Sequence, residues 1–301
     1  MKKLLYKSAF VLSLLAMASC NDAFLDRLPE TAIGKENFFN TEEDLKLYIY
    51  TLYSFPGDGI YTADGYSTTD NMSNTGNSEL KTIMTTNASS NTVSGGWTWG
   101  ELRNINFFLD NFSKADVPTD VLAHYEGVAR YFRARFYMDK VKRYSDVPWY
   151  DKTLETGDED ALYKARDPRT VAVDKLMEDF KFAADNVFAD QPTGAVHKWM
   201  VKAEYARAAL YEGTYRKYHS ELSLQNTADA YLKIARDQAK EIMDSGEYQL
   251  YSTGKPNQDY YNLFVATNLG ANPEILFANY NEFGLKNGGN SAIIFGNYET
   301  C

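Results

Sequence analysis

The chain has 301 residues, with 31 basic against 41 acidic side chains, a formal net charge of −10, and 15% aromatic residues including 23 tyrosines. A hydrophobic fraction of 44% excludes a disordered chain, and the acidic balance excludes the basic footprint of a nucleic-acid-binding surface. No window beyond the N-terminus reaches the roughly 18 apolar residues of a spanning helix, which excludes a polytopic membrane protein. The length allows either two ordinary domains or one large helical array.

The N-terminus has the pattern of a bacterial secretory signal that ends at a lipidated cysteine. A basic start precedes a short apolar run, and small residues then lead directly to Cys20, as in a lipobox. We expect residues 1–19 to be a signal peptide and residues 20–40 to be a tether that begins at the lipidated Cys20. The anchored chain would keep 28 basic against 41 acidic side chains, a charge of −13. The alternative is an ordinary signal followed by a chance cysteine. With Cys20 lipidated, Cys301 has no intrachain partner, so stability must come from burial rather than from disulfides.

Residues 41–250 are predicted to form one helical scaffold. Thr41, followed by three acidic residues, is typical of a helix start, and the apolar positions 45, 49, 52 and 53 share one face. Apolar spacing predicts further helices over 99–112, 119–144, 170–187, 198–218 and 227–245. Alanines are expected to let helices approach closely against Tyr205, Tyr211 and Tyr231, as in degenerate tetratricopeptide-like hairpins. These alanines are Ala203, Ala206, Ala208, Ala209, Ala228, Ala230, Ala235 and Ala239.

Two regions have loop composition instead. Residues 57–96 are rich in Gly, Ser, Thr and Asn, and they are predicted to be a long loop insertion with short strands, which is typical of functional or disordered segments. Residues 251–301 are predicted to be mostly loop, with strands at 273–280 and 291–295. Little chain follows the second strand to cover its edge, which favours an incomplete chain.

Signals of catalysis are sparse. His124, His197 and His219 are isolated, and no nucleophile elbow or phosphate-binding loop is present, so we expect no catalytic residue, no cofactor and no metal. The acidic run 158–160 lacks the alternating ligands of a cation loop and is interpreted as a solvated turn. The arginines Arg130 and Arg133 are expected to pair with acids of neighbouring helices, as part of the scaffold. A glycosidase stays open, because its two carboxylates need only be near in space.

The sequence favours a sugar-binding site more than a catalytic one. A sugar presents an apolar CH face ringed by hydroxyls, so a receptor needs a flat aromatic ring flanked by donors and acceptors. Trp97 and Trp99 are the leading candidates, with one expected to stack on a ligand and the other to pack. Which of the two contacts ligand stays open. Candidate hydrogen-bonding residues of the adjoining loop, each of which could equally be an ordinary surface residue, are Tyr66, Asp70, Asn71 and Asn77.

The order of motifs carries a family resemblance. The strongest segment is 125–137, Tyr-Glu-Gly-Val-Ala-Arg-Tyr-Phe-Arg-Ala-Arg-Phe-Tyr, followed by Arg-Tyr-Ser-Asp-Val-Pro-Trp over 143–149. Weaker matches lie at 24–29, 38–45, 99–111, 202–215, 231–248 and 273–277. Together they resemble the SusD/RagB family, surface lipoproteins of Bacteroidetes nutrient-uptake systems. Ser145 stands where that family usually has glycine, which would make a left-handed turn costlier.

The resemblance implies a mainly α fold, a superhelix of four tetratricopeptide-like hairpins with a loop-rich ligand face, and a ligand-contacting tryptophan in the 97–99 region. It also implies a glycan-binding lipoprotein at the outer membrane, exposed on the cell surface. Such a protein delivers oligosaccharide to a SusC-like TonB-dependent barrel. Family members are usually much longer, so residues 251–301 would be the start of their C-terminal region. The alternatives are a helical scaffold that binds peptide or protein and a lipoprotein glycosidase. The sequence does not identify the sugar.

Overall fold

A computed structural model of the chain describes residues 38–53, 79–89, 91–93, 95–192, 194–266 and 272–277. The predicted signal peptide, Cys20, most of the tether and the predicted strand at 291–295 lie outside the described residues. Within them, no helix is both long and apolar enough to cross a membrane.

The described part of the chain is mainly helical, as expected. Its helices are α1 (Glu42–Thr51), α2 (Glu79–Met84), α3 (Gly100–Asn111), α4 (Thr119–Tyr144), α5 (Glu159–Leu162), α6 (Arg169–Asn186), α7 (Lys198–Tyr218), α8 (Ala228–Ser245) and α9 (Pro256–Val265). The six longer helices predicted between residues 41 and 250 are confirmed, with ends that differ by a residue or two. Short 3₁₀ turns at Ser220–Leu222 and Gln225–Thr227 join α7 to α8, so these two helices form a hairpin.

Helix α1 begins as its sequence predicts. The Thr41 hydroxyl accepts a hydrogen bond from the Asp44 backbone N–H, and the Asp44 carboxylate accepts one from the Thr41 N–H, which is a capping box. These hydrogen bonds, chiefly that from the Thr41 side chain, lower the pKa of Asp44. The apolar face of α1, with Leu45 and Ile49 buried, packs against α4.

Helix α4 is the centre of the molecule. It is 26 residues long and packs against α1, α3 and α6, so side chains on almost every face are buried. It ends at Ser145, whose φ of +61° and ψ of −80° lie in a region that glycine enters freely and serine does not. The turn at Ser145 therefore has the positive φ that glycine would adopt at lower cost.

The pairs α4–α6 and α7–α8 approach closely through small residues. A Cβ added at Gly213 would lie 2.8 Å from Leu232 Cδ2 and 3.0 Å from its backbone nitrogen. A Cβ added at Gly127 would lie 2.9 Å from Val187 Cγ2. Four of the alanines singled out by the sequence are buried as expected, namely Ala208, Ala209, Ala228 and Ala235. The prediction is wrong for Ala230 and Ala239, which are exposed because they lie on the outer side of α8.

Buried charges join α4 to α6, as predicted for the arginines. Arg133 donates from Nε to Asp179 Oδ2 at 2.6 Å and from Nη2 to Oδ1 at 2.8 Å, and both side chains are almost fully buried. Arg130 pairs with Glu126 at 2.7 Å and lies 3.6 Å from Asp179. Because removal of one partner would leave a buried charge uncompensated, the network fixes the two helices against each other.

The histidines have structural roles, as expected. His124 Nδ1 accepts the Phe188 N–H at 3.1 Å, and its ring stacks on that of Phe188 at 4.4 Å. His197 caps α7 by accepting the Met200 N–H at Nδ1, which leaves Nε2 to donate to the Leu276 carbonyl. His219 Nδ1 lies 2.6 Å from a carboxylate oxygen of Glu221.

Three parts of the loop regions differ from the predictions, whereas the acidic run 158–160 is largely exposed, as expected, and leads into the single turn of α5. The insertion 57–96 contains α2. Helix α9 falls in a segment predicted as loop; Pro256 starts it, and the Asp259 carboxylate accepts the N–H groups of Thr253 and Lys255. Residues 272–277 form turns rather than the predicted strand. Their backbone pairs with His197 and with the Gln249 N–H instead of with a neighbouring strand.

Candidate functional site

A cavity of about 620 Å³ opens where three segments of the chain meet. They are the approach to α3 with its first two turns, the segment 148–154 that follows α4, and the segment 162–166 that follows α5. The residues that line it are Trp97, Trp99, Gly100, Leu102, Arg103, Asn106, Pro148, Tyr150, Lys152, Leu154, Leu162, Lys164, Ala165 and Arg166. We call this the aromatic cavity.

The two tryptophans lie together at the cavity but in different environments. Their rings are nearly perpendicular, at 79°, with centroids 5.0 Å apart. Trp97 is 38% exposed, and the guanidinium of Arg166 lies 4.8 Å from the centroid of its ring. Trp99 is only partly exposed, and its ring packs against those of Phe136 and Tyr150, each with its centroid 5.6 Å away. Trp97 thus offers accessible ring surface, whereas Trp99 supports it from the core.

The segment that carries Trp97 is held down by the C-terminal end of α4. Arg143 Nε donates to the Gly95 carbonyl at 2.7 Å, Tyr144 Oη donates to the same oxygen, and Lys140 Nζ donates to the Gly96 carbonyl. Gly96 has a φ of +86°, and a Cβ there would lie 3.3 Å from Arg143 Nε and 3.4 Å from Tyr144 Oη. Only glycine therefore fits this close approach without strain.

A salt bridge joins the same helix end to α2. Arg143 donates from Nη1 and Nη2 to the two carboxylate oxygens of Glu79, at 2.8 and 2.7 Å. The hydrogen bond from Arg143 lowers the pKa of Glu79, and its counterpart raises the pKa of Arg143. One arginine thus connects the end of α4, the inserted helix α2 and the turn before Trp97.

The segment 148–154 forms one wall of the cavity and is fixed from below. Tyr137 Oη accepts the Tyr150 N–H at 2.6 Å and donates to the Pro148 carbonyl at 3.2 Å. Asn106 Nδ2 donates to the carbonyls of Tyr150 and Lys152, at 3.0 and 3.1 Å. Both anchoring side chains are buried, so the wall is preformed.

Charged side chains of the lining carry one sign. Arg103, Lys152, Lys164 and Arg166 face the cavity, and no Asp or Glu is among the described residues that line it. Arg103 lies 3.5 Å from Glu155 in a half-exposed pair, and Lys164 pairs with Asp167 at 2.7 Å. The cavity thus combines aromatic surface with hydrogen-bond donors.

The sequence located part of this site. It singled out Trp97 and Trp99, whereas Tyr66, Asp70, Asn71 and Asn77 lie outside the described residues. It missed Tyr150 and the four cations. The signal for Tyr150 was its place directly after the Val-Pro-Trp motif. No group of three His, Cys, Asp or Glu side chains suited to a metal occurs in the part of the chain that the structure describes.

The chain is similar to known proteins in structure. No model of a protein family matches the sequence, and no curated protein matches it either. A SusD-like protein from Bacteroides fragilis superposes with a TM-score of 0.60 at 23% identity, over 87% of this chain and 49% of that one. A SusD homolog from Bacteroides thetaiotaomicron gives a TM-score of 0.54 at 16% identity, over 73% and 44% of the two chains.

A third solved structure holds a sugar. It is described as being with a xylogluco-oligosaccharide, and it superposes with a TM-score of 0.52 at 15% identity, over 69% of this chain and 42% of its own. The chain thus spans about half the length of the solved structures it matches. At these identities the similarity establishes the fold.

Proposed function

We propose that this chain, which has the SusD-like fold over the part it shares with those proteins, is a non-enzymatic glycan-binding lipoprotein of the cell surface. It captures an oligosaccharide or polysaccharide at the aromatic cavity and delivers it to a SusC-like TonB-dependent transporter in the outer membrane. The observation that carries the proposal is the accessible ring of Trp97 at a preformed cavity.

The chemistry of the lining suits a sugar. The apolar CH face of a pyranose packs on an aromatic ring, while its hydroxyls need fixed polar partners at the edges. Trp97 offers the ring, and Arg103, Lys152 and Arg166 offer donors around it. Trp99 packs against Trp97, and hydrogen bonds hold the carbonyls of Gly95 and Gly96. The Trp97 ring is therefore already in place, so binding costs little conformational entropy.

Two further observations support binding without catalysis. One solved structure with this fold is described with a xylogluco-oligosaccharide, which supports a sugar as the class of ligand. Glycoside hydrolysis uses a pair of carboxylates on either side of the bond that is cleaved. No carboxylate is among the described residues that line the aromatic cavity, which favours capture over cleavage at this place.

The proposal is tested by affinity electrophoresis of the full chain in gels that contain a panel of polysaccharides. We expect Trp97→Ala to lose retention while the far-UV circular dichroism of the helices stays unchanged. Trp199→Ala is the matched control, because that partly exposed tryptophan lies away from the aromatic cavity, against α6 and α8. Equal retention of wild type and Trp97→Ala would refute the site, and release of reducing ends would refute the non-enzymatic function.

Anchoring and the transporter partner rest on the sequence pattern at Cys20 and on the family resemblance. We expect Cys20→Ala to move the chain from the membrane fraction to the soluble fraction of the producing cell. Co-purification with a large outer-membrane barrel protein would support delivery to a transporter. Co-purification with a peptide or protein, with no retention by any glycan, would instead favour the helical-scaffold function.

A further inference from the structure

The aromatic cavity is basic in a protein that is acidic. The chain carries a formal charge of −10, yet all four charged side chains of the described lining are cations. A neighbouring cavity of about 330 Å³ has the opposite balance, with five acidic side chains and three cations among its lining residues. The acidic residues are Asp110, Glu126, Asp151, Glu178 and Asp179. The positive sign is thus local to the aromatic cavity and does not follow from composition.

The segment 148–154 lies between the two cavities, and its successive side chains alternate between them. Pro148, Tyr150, Lys152 and Leu154 line the aromatic cavity, whereas Trp149 and Asp151 line the neighbouring one. Successive side chains of an extended segment point to opposite sides, so Lys152 and Asp151 are directed into different cavities. The hydrogen bonds from Asn106 to the carbonyls of Tyr150 and Lys152 fix this register.

Two of the four cations have no carboxylate partner among the residues that the structure describes. Arg103 and Lys164 have carboxylate partners in Glu155 and Asp167. Lys152 and Arg166 are exposed, and no ion pair with a carboxylate of the described residues involves either of them. The Arg166 guanidinium lies over one face of the Trp97 ring, 4.8 Å from its centroid, so a planar donor of two hydrogen bonds stands at the ring whose other face is proposed for stacking.

From this arrangement we infer that the aromatic cavity selects an anionic glycan, one whose sugar rings carry a carboxylate or a sulfate ester. The ring of the sugar stacks on Trp97, and its anionic group binds Arg166 and Lys152. The inference rests on the proposed glycan-binding function and specifies the class of its ligand. The hydroxyls of a neutral glycan could accept hydrogen bonds from both cations, but they would leave the two positive charges uncompensated.

The test compares matched oligosaccharides by isothermal titration calorimetry on the full chain. Oligogalacturonate and its fully methyl-esterified form differ in whether the carboxyl groups are charged, and carrageenan oligosaccharides before and after chemical desulfation serve as the sulfated and unsulfated galactans. A neutral xyloglucan oligosaccharide completes the set. We expect at least one anionic member to bind 10-fold or more tightly than its neutral counterpart. The two pairs distinguish a carboxylate from a sulfate ester.

Substitutions then show which side chains bind the anionic group. Arg166→Met and Lys152→Met should each weaken binding of the anionic ligand by about 10-fold, the ordinary worth of one charge-assisted hydrogen bond. Lys217→Met, at an exposed position of α7 away from the cavity, is the control and should change neither affinity nor salt dependence. Raising the salt concentration should weaken binding of the anionic ligand and leave that of a neutral one unchanged.

The outcomes separate this inference from the function on which it rests. Binding of neutral oligosaccharides as tight as that of anionic ones, with loss on Trp97→Ala, would overturn the charge selectivity and keep the glycan site. Tighter binding of neutral sugars by Arg166→Met would also overturn it, because the guanidinium would then be an obstacle on the Trp97 ring. No binding of either class would refute the proposed function and this inference with it.

Discussion

The two adjacent glycines before Trp97 allow a sharp test of how that ring is held. Gly96 has a φ of +86°, whereas the φ of Gly95 lies outside the left-handed region. A Cβ at Gly96 would lie 3.3 Å from Arg143 Nε, while one at Gly95 would meet nothing nearer than 3.8 Å. Substitution by alanine should therefore lower the free energy of unfolding at Gly96 and raise it at Gly95.

The expected magnitudes follow from these geometries. Alanine in a left-handed conformation costs about 1–2 kcal/mol, and the tight contact with Arg143 adds to that cost at Gly96. At Gly95 alanine should stabilise by about 0.4–1 kcal/mol, because it restricts the unfolded chain without strain in the folded one. The free energies of unfolding of the two variants should thus differ by about 2 kcal/mol, or about 4–8 °C in midpoint.

Chemical unfolding and near-UV circular dichroism together measure the effect. Loss of the near-UV signal of the Trp97–Trp99 pair in Gly96→Ala, without global destabilisation, would mean that the strain is relieved by lifting the segment. Glycan affinity should then fall as well, since fewer molecules hold the ring in place. Equal unfolding free energies and equal near-UV spectra for the two variants would refute the reasoning that Gly96 is required for the close approach.

Further predictions concern the scaffold. Ser145→Gly should stabilise the chain by about 1 kcal/mol in thermal unfolding, because it removes the strain of a positive φ; no change would mean that serine is unstrained there. Gly213→Ala should destabilise it by about 1–2 kcal/mol through contact with Leu232, and the loss should shrink in a Leu232→Ala background, where only the contact with the backbone nitrogen remains. Burial lowers the pKa of His124 from 6.5 to about 4, so its neutral form stabilises the fold fully above pH 6.5. That contribution, about 3 kcal/mol, is lost as the pH falls from 6.5 towards 4. His124→Gln should flatten this part of the stability–pH profile, and an unchanged slope would contradict the assignment.

Local signals account for what the sequence predicted of the fold. The cap at Thr41 and the helix over 119–144 both depend on residues that are close together in the sequence, and the structure has both. Helix α9 was missed because its start depends on Pro256 and on the hydrogen bonds that the Asp259 carboxylate accepts, and not on an apolar period. The strand predicted at 273–280 is not formed over its described residues, 273–277, because the backbone there accepts a hydrogen bond from His197, the residue that caps α7.

The site was harder to predict than the helices. Trp97 and Trp99 could be found as a ring pair after two glycines, but nothing in the sequence said which would be exposed. That depends on Phe136 and Tyr150, which come from distant parts of the chain. The cations were missed for the same reason. Arg103 and Arg166 are more than sixty positions apart in sequence, and only the fold brings them to one cavity.

The alternating wall at 148–154 has a consequence for how such a site could diverge. Because Lys152 faces the aromatic cavity while Trp149 and Asp151 face the buried Arg133–Asp179 pair, residue 152 can be exchanged without touching that pair. An insertion or deletion of one residue would instead interchange the two sets and present Asp151 to the ligand. Point substitutions therefore tune specificity here, while the length of the segment is constrained by the stability of the scaffold.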